Sequence, residues 1–339
     1  MGYLNCGGVD CTQGYMNAIA SRSVTRLING ALAIKPLANF AKDRARQMMI
    51  KRAESIGVYW LDEVAELRAR GGDAAFNPVW EQERQQICDR TLTYPDYYRT
   101  SFHAYDEGNL GWEPALEATV AAKAVHARLW PEGDARGDIR LRQSYMDVLL
   151  DRLPTTPNTI VDLGCSTGLS TFALQNTYPQ AQVTGIELSD YFLTVAQHQT
   201  HQMRAGQKQT VPTEPPARLP KWLHAAAENT GLAAQSVDLV SASLLFHELP
   251  TSAALEIIGE AYRILRPGGH LTIMEMNPQS EVYKKLPAYV LTLLKSTEPY
   301  LDQYFSLDLH QAMTVAGFSA PSQTINTSRH RVVIAQKPQ

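Results

Sequence analysis

Eight consecutive residues, Val161-Asp162-Leu163-Gly164-Cys165-Ser166-Thr167-Gly168, constrain this chain more than any other stretch. They close a short β-branched run, Thr159-Ile160-Val161-Asp162-Leu163, and open onto a helical pattern that continues to about Tyr178. Glycines at such a turn let the backbone come close to a ligand, and the free amides at the helix start favour polar or anionic groups. Nineteen residues beyond Gly168 stands Glu187, at the end of a second strand-like run. An acid about 20 residues past a glycine-rich turn can hold a ribose, because one carboxylate accepts two hydroxyl hydrogen bonds at once.

Strands and helices alternate around this turn. A helix is predicted from about 139 to 153, a second strand at 182–186 and a helix at about 191–203. Further strands are predicted at 222–226, 237–242, 270–274 and 331–335, with helices at about 252–266 and 307–316. Such alternation implies an α/β, doubly wound, mostly parallel sheet covered on both faces. Residues 205–221, with Pro212, Pro215, Pro216 and Pro220, form a polar insert. Before Pro131 the pattern differs. Apolar residues recur at helical spacing through Leu37, Phe40, Ala41, Ala45, Met48 and Met49, then Leu61, Val64 and Leu67, and again from Ala115 to Val125. Pro131, Gly133 and Gly137 mark the break, so a helical N-terminal domain (1–135) and a sheet domain (138–339) are predicted.

Composition narrows the function classes. With 44% apolar and 19% charged residues, the chain is neither disordered nor fibrous. No run of about 18 apolar residues predicts a membrane-spanning helix, and Met1 to Cys6 is too polar for a signal-peptide core. Four cysteines are too few for a disulfide scaffold, so reduced thiols in an intracellular, cytoplasmic protein are expected. A net charge of −3 argues against general nucleic-acid binding. The charge is uneven, however: residues 1–52 hold eight basic residues and two acidic ones, or +6, which leaves −9 for the remainder.

The motifs resemble a known family. Asp162-x-Gly164-x-Ser166-x-Gly168 is similar to motif I of class I S-adenosylmethionine-dependent methyltransferases, with serine where many have a third glycine. Gly185-Ile186-Glu187-Leu188-Ser189 resembles their second motif, and Ala227-Glu228 followed by Ser236-Val237-Asp238-Leu239-Val240 their adenine-side loop and fourth strand. Arg263 to Leu271, with Arg266-Pro267-Gly268-Gly269, resembles their turn before strand five. The resemblance covers about Asp138 to Lys337 and is nearest the quinone-biosynthesis C-methyltransferases. It implies a Rossmann-like methyltransferase sheet with an antiparallel last strand, S-adenosyl-L-methionine as cofactor, and a small-molecule acceptor, lipophilic or aromatic.

The resemblance also implies roles for particular residues. Gly164 and Gly168 would approach the methionine part, Asp162 would act near its amino group, and Cys165, Ser166 and Ser243 would also contact the cofactor. Glu187 would hold the ribose, while Leu188 and Ala227 would flank the adenine. Many relatives have an aspartate where this chain has Ala226, so Glu228 or backbone groups would serve the adenine amino group.

Other readings compete. Gly164-Cys165-Ser166-Thr167-Gly168 also fits the nucleophile elbow of α/β-hydrolases, with Ser166 as nucleophile and Asp238 with His247 or His270 as partners. A non-catalytic cofactor-binding module is a further alternative. A nicotinamide dehydrogenase would need glycine at Ser166 and Leu169, and fails there. His247, just past the fourth strand, is a candidate general base. The aromatic stretches Tyr94–Tyr98 and Phe102–Trp112 fit either the core of the helical domain or a lid over the acceptor, with His103 and Tyr105 as candidate catalytic residues. The basic helix around 35–52 would pack on its own domain or lie on an anionic membrane surface. No His and carboxylate pair stands at metal-ligand spacing, so no metal is predicted.

Overall fold

The computed structural model describes residues 35–103, 105–204 and 218–339. Cys6, Cys11 and most of the proline-rich insert lie outside them; Cys88 and Cys165 are free thiols.

Among the described residues, seven strands form one sheet: β1 (Thr159–Leu163), β2 (Gln182–Glu187), β3 (Lys221–His224), β4 (Val237–Ser243), β5 (Leu265–Met276), β6 (Ser322–Ile325) and β7 (His330–Gln336). Their order is β3-β2-β1-β4-β5-β7-β6. The first five are parallel, whereas β7 runs antiparallel to both β5 and β6. Strand order reverses between β1 and β4, and ligands bind outside the carboxyl ends of strands at such a switch point.

Helices cover both faces, as the alternation predicts. On one, Leu141, Tyr145, Met146 and Leu149 of α5 (Gly137–Arg152) pack with Leu174 of α6 (Leu169–Thr177) over Ile160 and Val183. On the other, Ile257, Ile258 and Ala261 of α8 (Thr251–Ile264) cover Val240, Leu271 and Ile273. The strand predicted at 270–274 is the inner part of a longer one. Val237 pairs with Leu265, and the register then shifts before Leu239 pairs with His270, so Arg266-Pro267-Gly268-Gly269 is an irregularity inside β5.

The region before Pro131 is helical in its described residues, with α1 (Lys35–Glu54), α2 (Trp60–Ala69), α3 (Val79–Ile87) and α4 (Trp112–His126). Ile50, Ala53, Trp60, Trp80, Leu116 and Val120 bury one another against Phe192 and Val195 of α7 (Asp190–Arg204). This layer therefore shares its core with a helix of the sheet region. Arg46 of α1 pairs with Glu113 and Glu117 of α4, while the side chains of Leu37, Phe40, Ala41 and Ala45 lie outside the described residues. No described helix is long and apolar enough to cross a membrane.

α4 hands over to α5 through a buried ion pair. Asp138 accepts from His126 Nδ1 at 2.8 Å and from Arg142 Nε at 2.9 Å. Burial opposes its charge, but Arg142 and His126 hold its pKa well below the usual carboxylate range. A carboxylate depressed on folding contributes stability that is complete above its unfolded pKa of about 4 and is lost as pH falls through the folded value. Asp138→Asn, which removes the charge facing half-buried Arg142, should lower unfolding stability at pH 7 by about 3 kcal/mol and flatten the acid limb of the stability curve. Urea midpoints between pH 7 and pH 3 test this; parallel curves for the two proteins would contradict it.

Candidate active site

The β1–α6 turn is built as its sequence demands. Gly164 and Gly168 have φ of +63° and +89°, and Gly168 caps α6. A Cβ on Gly168 would stand 2.5 Å from the Trp222 ring, so glycine is required there for both torsion and space. Ser166, in the third-glycine position, also has a positive φ of +50°. Its amide donates to Glu187 Oε2 at 3.0 Å, which ties the turn to the end of β2.

Glu187 is 6% exposed, and Oε1 accepts from Ser189 N at 2.9 Å and from the Tyr98 hydroxyl at 2.6 Å. Tyr98 belongs to a short 3-10 helix, Asp96–Arg99, and its neighbour Tyr97 donates to Glu228 Oε1 at 2.8 Å. Burial pushes both phenols well above their ordinary pKa, so they remain donors at neutral pH. The aromatic segment thus fills the crevice at the switch point. A cavity of about 30 Å³ there is lined in part by Tyr97, Tyr98, Phe102, Asn109, Leu245 and Glu248. A cavity of about 510 Å³ lies at the opposite edge, beside Pro154, Asp238 and Arg266, away from the strand ends that bind ligands.

The other positions expected to hold cofactor stand around the same edge. Asp162 is buried, accepts from Thr171 Oγ1 and Ser241 Oγ, and is raised by burial to about 6. Cys165 is buried with its thiol pushed far up by desolvation, so it is a packing residue rather than a nucleophile. Leu188 is buried, and its carbonyl faces His224 Nε2 at 2.9 Å. Ala227 packs against the core beside the crevice. Ser243 Oγ and Asn109 Oδ1 are buried without a hydrogen-bond partner. An orphaned hydroxyl at the end of β4, an orphaned amide oxygen from the loop that lines the crevice, a turn shaped for close approach and a terminal carboxylate fit a nucleoside-bearing cofactor.

At the end of β4 the chain enters a short turn, Phe246–Glu248. The backbone N and Nδ1 of His247 both reach Glu275, which is fully buried near the end of β5. Burial disfavours a charged imidazole here, but Glu275 overrides it and raises His247 to about 10. His103 lies opposite with φ +48° and Nε2 at 2.9 Å from Glu298 and 3.5 Å from Glu248. Burial pushes Glu248 up to about 7, against the pull of both imidazoles. Sequence reasoning named His103 and His247 as candidates but not Glu275, Glu298 or Tyr98, which the structure sets beside them and beside Glu187. Glu275 had a legible signal, being a lone acid between Met274 and Met276 in a buried strand. Tyr105 stands apart chemically: its hydroxyl is engaged by Glu117 and by Arg46.

The hydrolase arrangement is not assembled. Asp238 pairs with Arg266 and accepts from Thr159 N at 2.9 Å, at the amino ends of the strands. His270 lines the cavity at that same far edge, and His247 belongs to Glu275. Among the described residues, no histidine–carboxylate pair engages the Ser166 hydroxyl.

Comparison with known proteins agrees with this geometry. Residues 161–273 match a family model described as a methyltransferase domain. A malonyl-[acyl-carrier protein] O-methyltransferase of Laribacter hongkongensis is 29% identical over 177 residues, 52% of this chain and 56% of that protein. A trans-aconitate 2-methyltransferase of Azoarcus sp. is 36% identical over 126 residues, 37% of this chain and 42% of that one. The chain thus spans about half the length of these curated relatives. An O-methyltransferase family protein from Burkholderia thailandensis has a similar structure, with a TM-score of 0.44 at 19% identity, covering 66% of this chain and 62% of that one. The glycine turn and Glu187, the acid ending β2, both lie inside the segment that matches the methyltransferase-domain model.

Proposed function

We propose that the chain transfers a methyl group from S-adenosylmethionine to an oxygen of a small acidic acceptor. The observation that carries this reading is convergence: the Gly164–Gly168 turn, Glu187 and the His247–Glu248 turn meet at the carboxyl edge of β1, β2 and β4. Two relatives act on a malonyl group and on trans-aconitate by name, and both of those molecules carry carboxylates.

When bound, the cofactor supplies a methyl group already activated by its sulfonium. The protein's part is alignment and exclusion of water. Glu187 would take the ribose hydroxyls, Leu188 and Ala227 would flank the base, and Glu228 would face its amino group. Asp162, with Ser243, would receive the amino-acid end. His247, pinned through Nδ1 by Glu275, presents Nε2 toward the acceptor side, where His103 and Glu248 also lie. A carboxylate acceptor needs no proton removed, so these imidazoles would hold its oxygen in line rather than act as bases. The helical layer, residues 1–135, would supply the aromatic wall that closes the crevice, and acceptor choice would reside there.

Calorimetric titration with S-adenosylmethionine, followed by label transfer to a panel of di- and tricarboxylic acids, tests the reading. No binding by the wild-type protein would sink it. Binding with transfer only to amines would remove the acidic acceptor, and binding without any transfer would leave a non-catalytic module. A narrower expectation concerns Tyr98, whose hydroxyl takes an acceptor position on Glu187 that a ribose needs. Tyr98→Phe should tighten cofactor binding by roughly tenfold, the scale of one hydrogen bond to a charged group. Unchanged or weaker binding would mean that the hydroxyl does not compete.

A further inference from the structure

Three side chains from distant parts of the sequence meet where the acceptor would lie. One ligand-capable atom each of His103, His247 and Glu248 lies within 4.8 Å of the others, among the described residues. Spacing along the chain hides this set, because His103 comes from the loop before α4 and the other two follow β4.

The surroundings resemble the support of a ligand shell. Glu275 holds Nδ1 of His247 at 2.8 Å, leaving Nε2 for the shared space. A carboxylate behind an imidazole fixes its tautomer and strengthens its free nitrogen, the arrangement metal-bound histidines adopt. Glu298 stands 2.9 Å from His103 Nε2, and its second oxygen, Oε2, is buried with no hydrogen-bond partner. Glu298 as a whole is 9% exposed, so that orphan oxygen has no access to bulk water to satisfy it. His103 is kept in a left-handed backbone conformation uncommon for a non-glycine residue, and its amide donates to the Thr297 carbonyl at 3.0 Å. Three carboxylates therefore stand around two imidazoles in a half-buried space open at His103, where a bound cation would replace the imidazole protons as the compensating charge.

We propose that His103 Nε2, His247 Nε2 and a carboxylate oxygen of Glu248 bind one divalent transition-metal ion. Glu275 behind His247 is its supporting carboxylate, whereas Glu298 Oε1, 2.9 Å from the same Nε2 of His103, would give up that contact to the ion and stand beside it as a further oxygen. Two imidazoles and a carboxylate suit zinc, iron(II), cobalt(II) or manganese(II), whereas magnesium and calcium prefer an all-oxygen shell. Bonds of about 2.0–2.2 Å bring ligand atoms to roughly 3.5 Å of one another, so small side-chain rotations complete the shell. The His103 side chain is 40% exposed and gives the ion a route in. Three protein ligands leave open positions, and one would face the crevice that Glu248 and Phe102 line. An acceptor oxygen coordinated there would be held by a full positive charge. That last placement rests on the methyl-transfer reading; the affinity for the ion does not.

The test uses the full chain, stripped with a chelator, then titrated with zinc(II) and, for its visible spectrum, cobalt(II). One equivalent should bind, and His103→Asn, His247→Asn and Glu248→Gln should each weaken binding on the order of 100-fold or more. Glu275→Gln, acting through His247, should cost about 10- to 100-fold. His103→Asn is the decisive variant, because its partly exposed side chain can be replaced without opening the core. Wild-type protein that takes up no more ion than His103→Asn would overturn the proposal. So would binding whose cobalt spectrum is unchanged in all three ligand variants. S-adenosylmethionine calorimetry on the same samples separates the two readings. Ion uptake without cofactor binding would leave the metal site standing and remove the proposed function. Cofactor binding without ion uptake would remove the metal site alone.

Discussion

Glu187→Ala should weaken S-adenosylmethionine binding by at least about 100-fold, taking it out of range of ordinary calorimetry. The ribose contact alone accounts for much of this, since hydrogen bonds to a charged group contribute about 1.5–3 kcal/mol each. The rest comes from structure. The same carboxylate accepts from Ser166 N, Ser189 N and Tyr98, so it fixes the glycine turn, the start of α7 and the aromatic segment together. Removing it leaves buried amides without partners and frees the turn in which Ser166 holds a positive φ. Glu187→Gln should fall between the two proteins, because its amide oxygen keeps some of those bonds while its NH2 faces donors. Wild-type affinity in Glu187→Ala would mean that the cofactor does not use this edge of the sheet.

The largest stability effect is expected at Gly137. A Cβ there would stand 2.2 Å from the His126 carbonyl oxygen and 2.8 Å from Ala127 Cα, both backbone atoms that cannot rotate aside. Gly137→Val should therefore destabilise the chain by about 3–5 kcal/mol, the range of severe overpacking combined with loss of a buried ion pair. The second contribution arises because the same displacement pulls Asp138 from His126. Coupling of this kind predicts that Gly137→Val and Asp138→Asn are not additive. Thermal melts of the single and double variants measure it, and a fully additive pair would show that the junction yields elsewhere.

Much of the sheet was legible because buried parallel strands leave an unambiguous trace. Ile160 to Leu163 and Val237 to Ala242 are short apolar runs bounded by turn residues, and both became strands. β6 was not legible: Ser322-Gln323-Thr324-Ile325 is an exposed edge strand whose pairing with β7 supplies what its composition does not. The same holds for the short helices between β5 and β6, which include Ala288–Thr297 and Leu301–Ser306. The cofactor half of the proposed site could be read locally, since the turn and Glu187 lie on adjacent elements. The acceptor half could not, because His103, Glu248, Glu275 and Glu298 are joined only by tertiary packing. The aromatic stretch is split in space. Trp112 packs against Trp80 and Tyr191, while Tyr97 and Tyr98 line the crevice.

The grip of the helical layer on the end of β2 has a genetic corollary. Arg84 of α3 pairs with Asp190 at 2.6 Å, and the Asn109 carbonyl accepts from Ser189 Oγ at 2.7 Å. Both contacts fall within three residues of Glu187, on a segment that cannot shift without moving its carboxylate. A random-mutagenesis screen for altered cofactor affinity should thus return hits in the helical layer, far along the chain from the glycine turn. Such hits would form a cluster around residues 84 and 109 that inspection of the nucleotide-binding motif alone would dismiss as background.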